Sequence, residues 1–162
     1  MTNLEKILER LALHGVEFVV IGGYAAMVHG VSFITRDVDV CTPLGAENLR
    51  KIHAALADFD PLHREFFERR PFELTTGVLS GLNDLYLKTT LGQVDFLGSL
   101  GELGGYEFAK RHSVIIEMEF GACRFLDCAT LIQIKESLRR PKDLIVVQQL
   151  RAILEAAQKP NA

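Results

Sequence analysis

The chain has 162 residues, 48% of them hydrophobic, and a formal charge of -3 from 18 Lys+Arg against 21 Asp+Glu. That length and apolar content suit one domain, residues 1–162, with a core large enough to offset the entropy of ordering it, which excludes a disordered tail. The slightly acidic balance argues against coating long nucleic acid, Cys41, Cys123 and Cys128 make no C-x-x-C or disulfide scaffold, and no apolar run approaches a membrane span or signal peptide, so a reducing cytoplasm is expected.

Leu4, Ile7, Leu8 and Leu11 recur at helical spacing, with Thr2 and Glu5 spaced as a capping box and Gly15 as a stop, which predicts a helix over 3–14. Val16 to Ile21 reads as a buried strand that breaks at Gly22-Gly23 into a short helix over 24–29. Phe33 to Cys41 alternates as a strand, and 46–59 resumes helical spacing. Residues 60–84 carry no clear period. Leu85–Lys88 and Gln93–Leu97 form a hairpin, and a glycine-rich loop over 98–105 precedes no clear helix. A second hairpin, 114–120 with 123–126, turns at Gly121-Ala122. Asp127 caps a helix over 128–137, and a second helix follows over 142–157, the two broken at Pro141. The order indicates a mixed α/β or α+β domain with a core over about 4–126 and C-terminal helices over about 127–158.

Asp37 and Asp39 are the unusual feature. Two residues apart in a strand, they project from the same face roughly 6.5–7 Å apart and repel unless something positive sits between them. Taken alone, the pair also fits an exposed edge strand whose acids are balanced by Arg36 or a lysine. Asp95, between Val94 and Phe96, faces away from its apolar neighbours in the same manner. If its strand lies beside that of Asp37 and Asp39, three carboxylates converge on an oxygen-only site suited to Mg²⁺ or Mn²⁺. Gly22 and Gly23, between strand and helix, let backbone N–H groups approach an anion such as a triphosphate.

Taken together, Val19-Val-Ile-Gly-Gly23, Asp37-Val-Asp39 and Val94-Asp-Phe96 resemble the nucleotidyltransferase superfamily of the DNA polymerase β type. The fuller string from Gly22 to Gly30, followed by Ile34-Thr-Arg-Asp-Val-Asp-Val40, is similar to its small bacterial toxin-like branch. Lys135 and Arg140-Pro-Lys142-Asp143 look like that branch's late lysine and basic-acidic element. The resemblance spans about residues 4–150. It implies an α+β nucleotidyltransferase fold, a twisted mixed sheet flanked by helices, and transfer of a nucleoside monophosphate from an NTP to a hydroxyl acceptor. Asp37, Asp39 and Asp95 would be the catalytic, metal-holding residues, with Gly22, Gly23 and Lys135 on the NTP. The acceptor could be an RNA end, a protein or a small molecule, and an antitoxin-type partner is compatible with the branch. Two positions depart from the pattern: Gly23 stands where many active members have serine, and Val146 where many carry a further acid.

Other candidates have plain structural readings. His29 suits the closing turn of a helix, Arg139, Arg140 and Lys142 suit a helix terminus that favours cations, and Cys123, Cys128 and His112 fit no familiar zinc spacing. Gly98-Ser-Leu-Gly101 lacks the elbow glycine at Leu97, and no P-loop or dinucleotide fingerprint occurs. The competing classes are a catalytically weak or inactive nucleotide- or RNA-binding protein and a metal-dependent phosphohydrolase.

Overall fold

A computed structural model describes residues 1–159. Thr2 and Glu5 form the capping box at the start of α1 (Asn3–Leu13). The N–H groups of Gly15 and Val16 donate to the Ala12 and Leu11 carbonyls, an arrangement that closes the helix with Gly15 at a φ of +70°. Val16 is thus spent on ending α1, so β1 is only Val19–Ile21 rather than the expected 16–21.

Helix α2 (Gly22–Val28) begins at the glycines themselves, two residues before the expected start. β2 (Asp37–Cys41) is likewise shorter than the expected 33–41. The Thr35 hydroxyl donates to the Asp37 carbonyl at 3.1 Å, and this local bond ties up the chain just ahead of the strand. α3 (Ala46–Leu56) ends in a 3₁₀ turn, and the aperiodic stretch that follows holds the two-residue β3 (Leu62–His63) and the one-turn α4 (Thr76–Leu79).

β4 (Asp84–Thr89) and β5 (Gly92–Leu97) form the expected hairpin. The glycine-rich loop does lead into a helix, α5 (Tyr106–Arg111), too short to show a period in the sequence. In the second hairpin, β6 (Ser113–Met118) and β7 (Gly121–Leu126), Met118 pairs with Gly121. The turn is therefore Glu119-Phe120, not Gly121-Ala122; Gly121, at a φ of +123°, opens β7 instead. Asp127 caps α6 (Cys128–Leu138) through the Thr130 N–H, and Pro141 is the first residue of α7 (Pro141–Gln158), where its missing N–H costs nothing.

The seven strands make one mixed sheet in the order β3-β4-β5-β2-β1-β7-β6. β1 runs antiparallel to β2 and parallel to β7, and β2 runs parallel to β5. Val38, Val40, Leu85, Leu87, Val94 and Phe96 alternate onto one buried face, where they share a core with Leu8, Leu11, Leu49 and Ile52 of the packed helices α1 and α3. The same alternation turns Asp37, Asp39 and Asp95 to the opposite face. With β1 on one side and β5 on the other, β2 is the central strand, which overturns the reading of its acids as an exposed edge.

Candidate functional site

Parallel pairing of β2 with β5 sets Asp37 against Gln93 and Asp39 against Asp95. Strand partners on one face are close neighbours, so the third acid arrives by register, more than fifty residues along the chain. One carboxylate oxygen from each of Asp37, Asp39 and Asp95 lies within 4.8 Å of the others, and all three residues are half-buried. Burial, then the charge of Asp95 and then that of Asp37, pushes the Asp39 carboxyl up from its ordinary 3.8 to about 7. The Asp95 carboxyl is also raised, by burial against the opposing pull of Arg64. An all-oxygen set that is this reluctant to stay ionised together fits a hard divalent cation, Mg²⁺ or Mn²⁺, held by these three side chains.

The expected positive partner is neither Arg36 nor a lysine. Arg64, from the aperiodic stretch after β3, donates to the Asp95 carboxylate through Nη2 and to Gln93 Oε1 at 3.2 Å through Nη1. Nothing in the local sequence marks it, because its position depends on a two-residue strand.

Gly22 has a φ of +66° and leaves no room for a side chain, since a Cβ there would overlap Asp39 Oδ2. Gly23 is also closely covered: a Cβ would lie 2.9 Å from Phe33 Cζ and 3.5 Å from Thr35 Oγ1. A side chain at this position would press on the tip of the Phe33 ring, which is 38% exposed and free to move aside.

The acids floor a cleft of about 720 Å³ whose walls include Gly23, Phe33, Arg36, Lys135, Arg140 and Lys142. Lys135, 12% exposed, is not a solvated surface lysine: its Nζ stands 3.5 Å from Asp143 Oδ1, and Arg140 Nε donates to Asp143 Oδ2 at 2.5 Å. Burial works to raise the Asp143 carboxyl, but the Arg140 hydrogen bond and the Lys135 charge outweigh it and hold it below the usual range. The cleft thus carries clustered acids from β2 and β5 together with cations from α6 and α7, a combination suited to a polyanion bound through cations on the acids.

His29 lies outside this arrangement: its Nε2 meets the Leu126 carbonyl at 2.8 Å, tying the end of α2 to the end of β7. Cys41 and Cys123 are buried thiols pushed up to about 11 and about 12 by burial, and His112 stacks on Phe108 rather than approaching a cysteine. Among the described residues, no helix is long and apolar enough to cross a membrane.

No family model and no curated protein matches the sequence. Solved structures do match. A provisionally assigned nucleotidyltransferase, TM1012 from Thermotoga maritima, superposes with a TM-score of 0.56 at 20% identity, over 94% of this chain and 91% of its own. The antibiotic-resistance factor ANT(2'')-Ia gives a TM-score of 0.55 at 15% identity, over 96% of this chain and 82% of its own. These superpositions, covering nearly all of the chain, show that it has the nucleotidyltransferase fold.

Proposed function

We propose that this chain is a metal-dependent nucleotidyltransferase that moves a nucleoside monophosphate from an NTP to a hydroxyl-bearing acceptor and releases pyrophosphate. The observation that carries the reading is the register of β2 on β5, which gathers Asp37, Asp39 and Asp95 within 4.8 Å in a cleft that Lys135, Arg140 and Lys142 also line. In the reaction the acceptor oxygen bonds to the α-phosphorus as the bond to the bridging oxygen of the β-phosphate breaks. Divalent ions held by the three aspartates would supply charge neutralisation at the phosphates and a lowered pKa for the acceptor hydroxyl.

The chain's own part is positioning. Asp37 and Asp39 hold their place on the central strand, Asp95 completes the set from β5, and Gly22 permits Asp39 its close approach to the start of α2. Gly23, without a side chain, leaves its backbone open to the cleft, and Lys135, fixed by Asp143, stands ready for phosphate oxygens. The Phe33 ring and the Ile145 and Val146 side chains give the same cleft apolar surface for a base.

The test is transfer of label from α-³²P-labelled NTPs, in Mg²⁺ or Mn²⁺, to total RNA, to protein or to small polyols. Wild type is expected to label one of these classes, and Asp37→Asn and Asp39→Asn to lose labelling while remaining folded by circular dichroism. Full activity in either variant defeats the assignment. One observation favours a second reading, a nucleotide- or RNA-binding protein without turnover, such as one component of a toxin–antitoxin-type pair: Asp95 and Lys135 already have internal partners in Arg64 and Asp143. Calorimetric NTP binding with no labelled product supports that alternative, and phosphate release without an acceptor indicates a phosphohydrolase.

A further inference from the structure

Arg64 is held in place from two sides. Its N–H donates to the Tyr86 carbonyl at 3.0 Å, continuing the β3–β4 pairing, and Tyr86 is itself the β4 partner of Asp95. From there the side chain crosses β4 above the Tyr86 ring, with Cζ 5.8 Å from the ring centroid, and ends on Asp95 and Gln93 of β5. Its fit is incomplete. The Nε–H is buried and has no hydrogen-bond partner among the described residues. A guanidinium satisfied through one edge only has less to lose on moving than one bonded all round.

Among the described residues, Arg64 is also the only ion-pair partner of the three clustered carboxylates. A doubly charged ion among those carboxylates would stand beside the guanidinium and compete with it for Asp95. Other acceptors are near. Glu65 and Asp84 line a separate cavity of about 460 Å³ with His63 and Phe66, and both carboxylates act electrostatically on the Tyr86 hydroxyl beneath Arg64.

We propose that Arg64 is a resident counter-cation that a divalent ion displaces from Asp95, so that metal loading releases the segment following β3 toward the Glu65 and Asp84 cavity. The inference rests on the reading of the three aspartates as the metal site and deepens it by naming the residue that sets the site's affinity. Arg64 is a positioning residue here, acting through Asp95.

The test is titration with Mn²⁺ alone, followed by the electron paramagnetic resonance signal of the free ion, on wild type, Arg64→Gln, Asp95→Asn and the double variant. Arg64→Gln is expected to bind about tenfold tighter than wild type, and the gain to vanish in the Asp95→Asn background. Wild-type binding with unchanged or weaker affinity in folded Arg64→Gln overturns the inference and leaves the metal site standing. Absence of Mn²⁺ binding in both wild type and Arg64→Gln overturns both. Should Arg64→Gln fail to fold, limited trypsin digestion decides: Mg²⁺ is expected to speed cleavage after Arg64 in wild type but not in Asp95→Asn. Unchanged or slower cleavage in wild type overturns the proposal.

Discussion

A side-chain carbon on Gly22 would overlap Oδ2 of Asp39 and lie 3.1 Å from its carboxyl carbon, so the glycine is required by the aspartate as well as by the turn. Gly22→Ala therefore acts twice. The φ of +66° alone is expected to cost about 1–2 kcal/mol of stability in any residue bearing a Cβ. The displaced Asp39 is expected to weaken Mn²⁺ binding in the fraction that folds. Urea unfolding and Mn²⁺ titration check this, and wild-type values in both would show that the close approach is immaterial.

The Asp39 carboxyl, at about 7 against an ordinary 3.8, makes the metal-free protein sensitive to pH in the direction opposite to a salt-bridged acid. Between those two values the folded chain holds a proton that the unfolded chain has released, so the unfolding free energy falls as pH rises. Stability is expected to decline from about pH 4 to about pH 7 and then level off. The raised Asp95 carboxyl adds to the same trend. Melting curves in EDTA from pH 5 to 8 should show a falling midpoint in wild type and a flatter one in Asp39→Asn. Added Mg²⁺ should lift the wild-type midpoint most at the alkaline end. A wild-type midpoint that rises steeply over this range without metal contradicts the account.

Phe33 and Gly23 make a second pair of mutually dependent residues. Phe33 Cζ lies 2.9 Å from the position of a Cβ but at the tip of a 38% exposed ring that can give way, so Gly23→Ser is expected to lose no more than about 1 kcal/mol through overpacking. Phe33→Leu, which removes the offending ring atoms, should restore part of that loss in the double variant while costing stability by itself. Additive losses in the double variant, measured by denaturant unfolding, would place the strain elsewhere.

What could be read from the sequence follows the range of the interactions involved. α1, the two hairpins and the C-terminal helices rest on local periodicity and caps, and they appear within a few residues of expectation. The acids were visible because a carboxylate between Val38 and Val40, or between Val94 and Phe96, breaks an apolar alternation. Their convergence was conditional on β5 lying beside β2, a long-range pairing that period alone does not specify. Arg64 was invisible because β3 is two residues long and takes its place only from β4. The partnership of Lys135 with Asp143 depends on how α6 and α7 pack, whereas α5 leaves no sequence signal because six residues are too few to show a helical period.

Asp143, 3% exposed, takes Lys135 at 3.5 Å and Arg140 at 2.5 Å, and so holds two of the cations that line the cleft. Asp143→Asn keeps the shape and removes the charge. Lys135, 12% exposed, is then left with little solvent and no counter-charge, while half-exposed Arg140 can turn to water. The expected loss of stability is about 1–3 kcal/mol, below that of a fully buried pair because one partner is open to solvent. The sign with pH is the reverse of that for Asp39. A carboxyl held below its usual range stabilises the fold at neutral pH and loses that contribution in acid, so wild type and Asp143→Asn should converge as pH falls. On the proposed function, the freed Lys135 is also expected to raise the KM for NTP severalfold with a smaller change in kcat, because it binds phosphate oxygens in substrate and transition state alike. Melting curves at pH 7 and at about pH 2, below the ordinary carboxyl range, with steady-state transfer assays at neutral pH decide between the roles. A stability loss with unchanged KM would make Asp143 a structural clasp between α6 and α7, with no part in aiming Lys135.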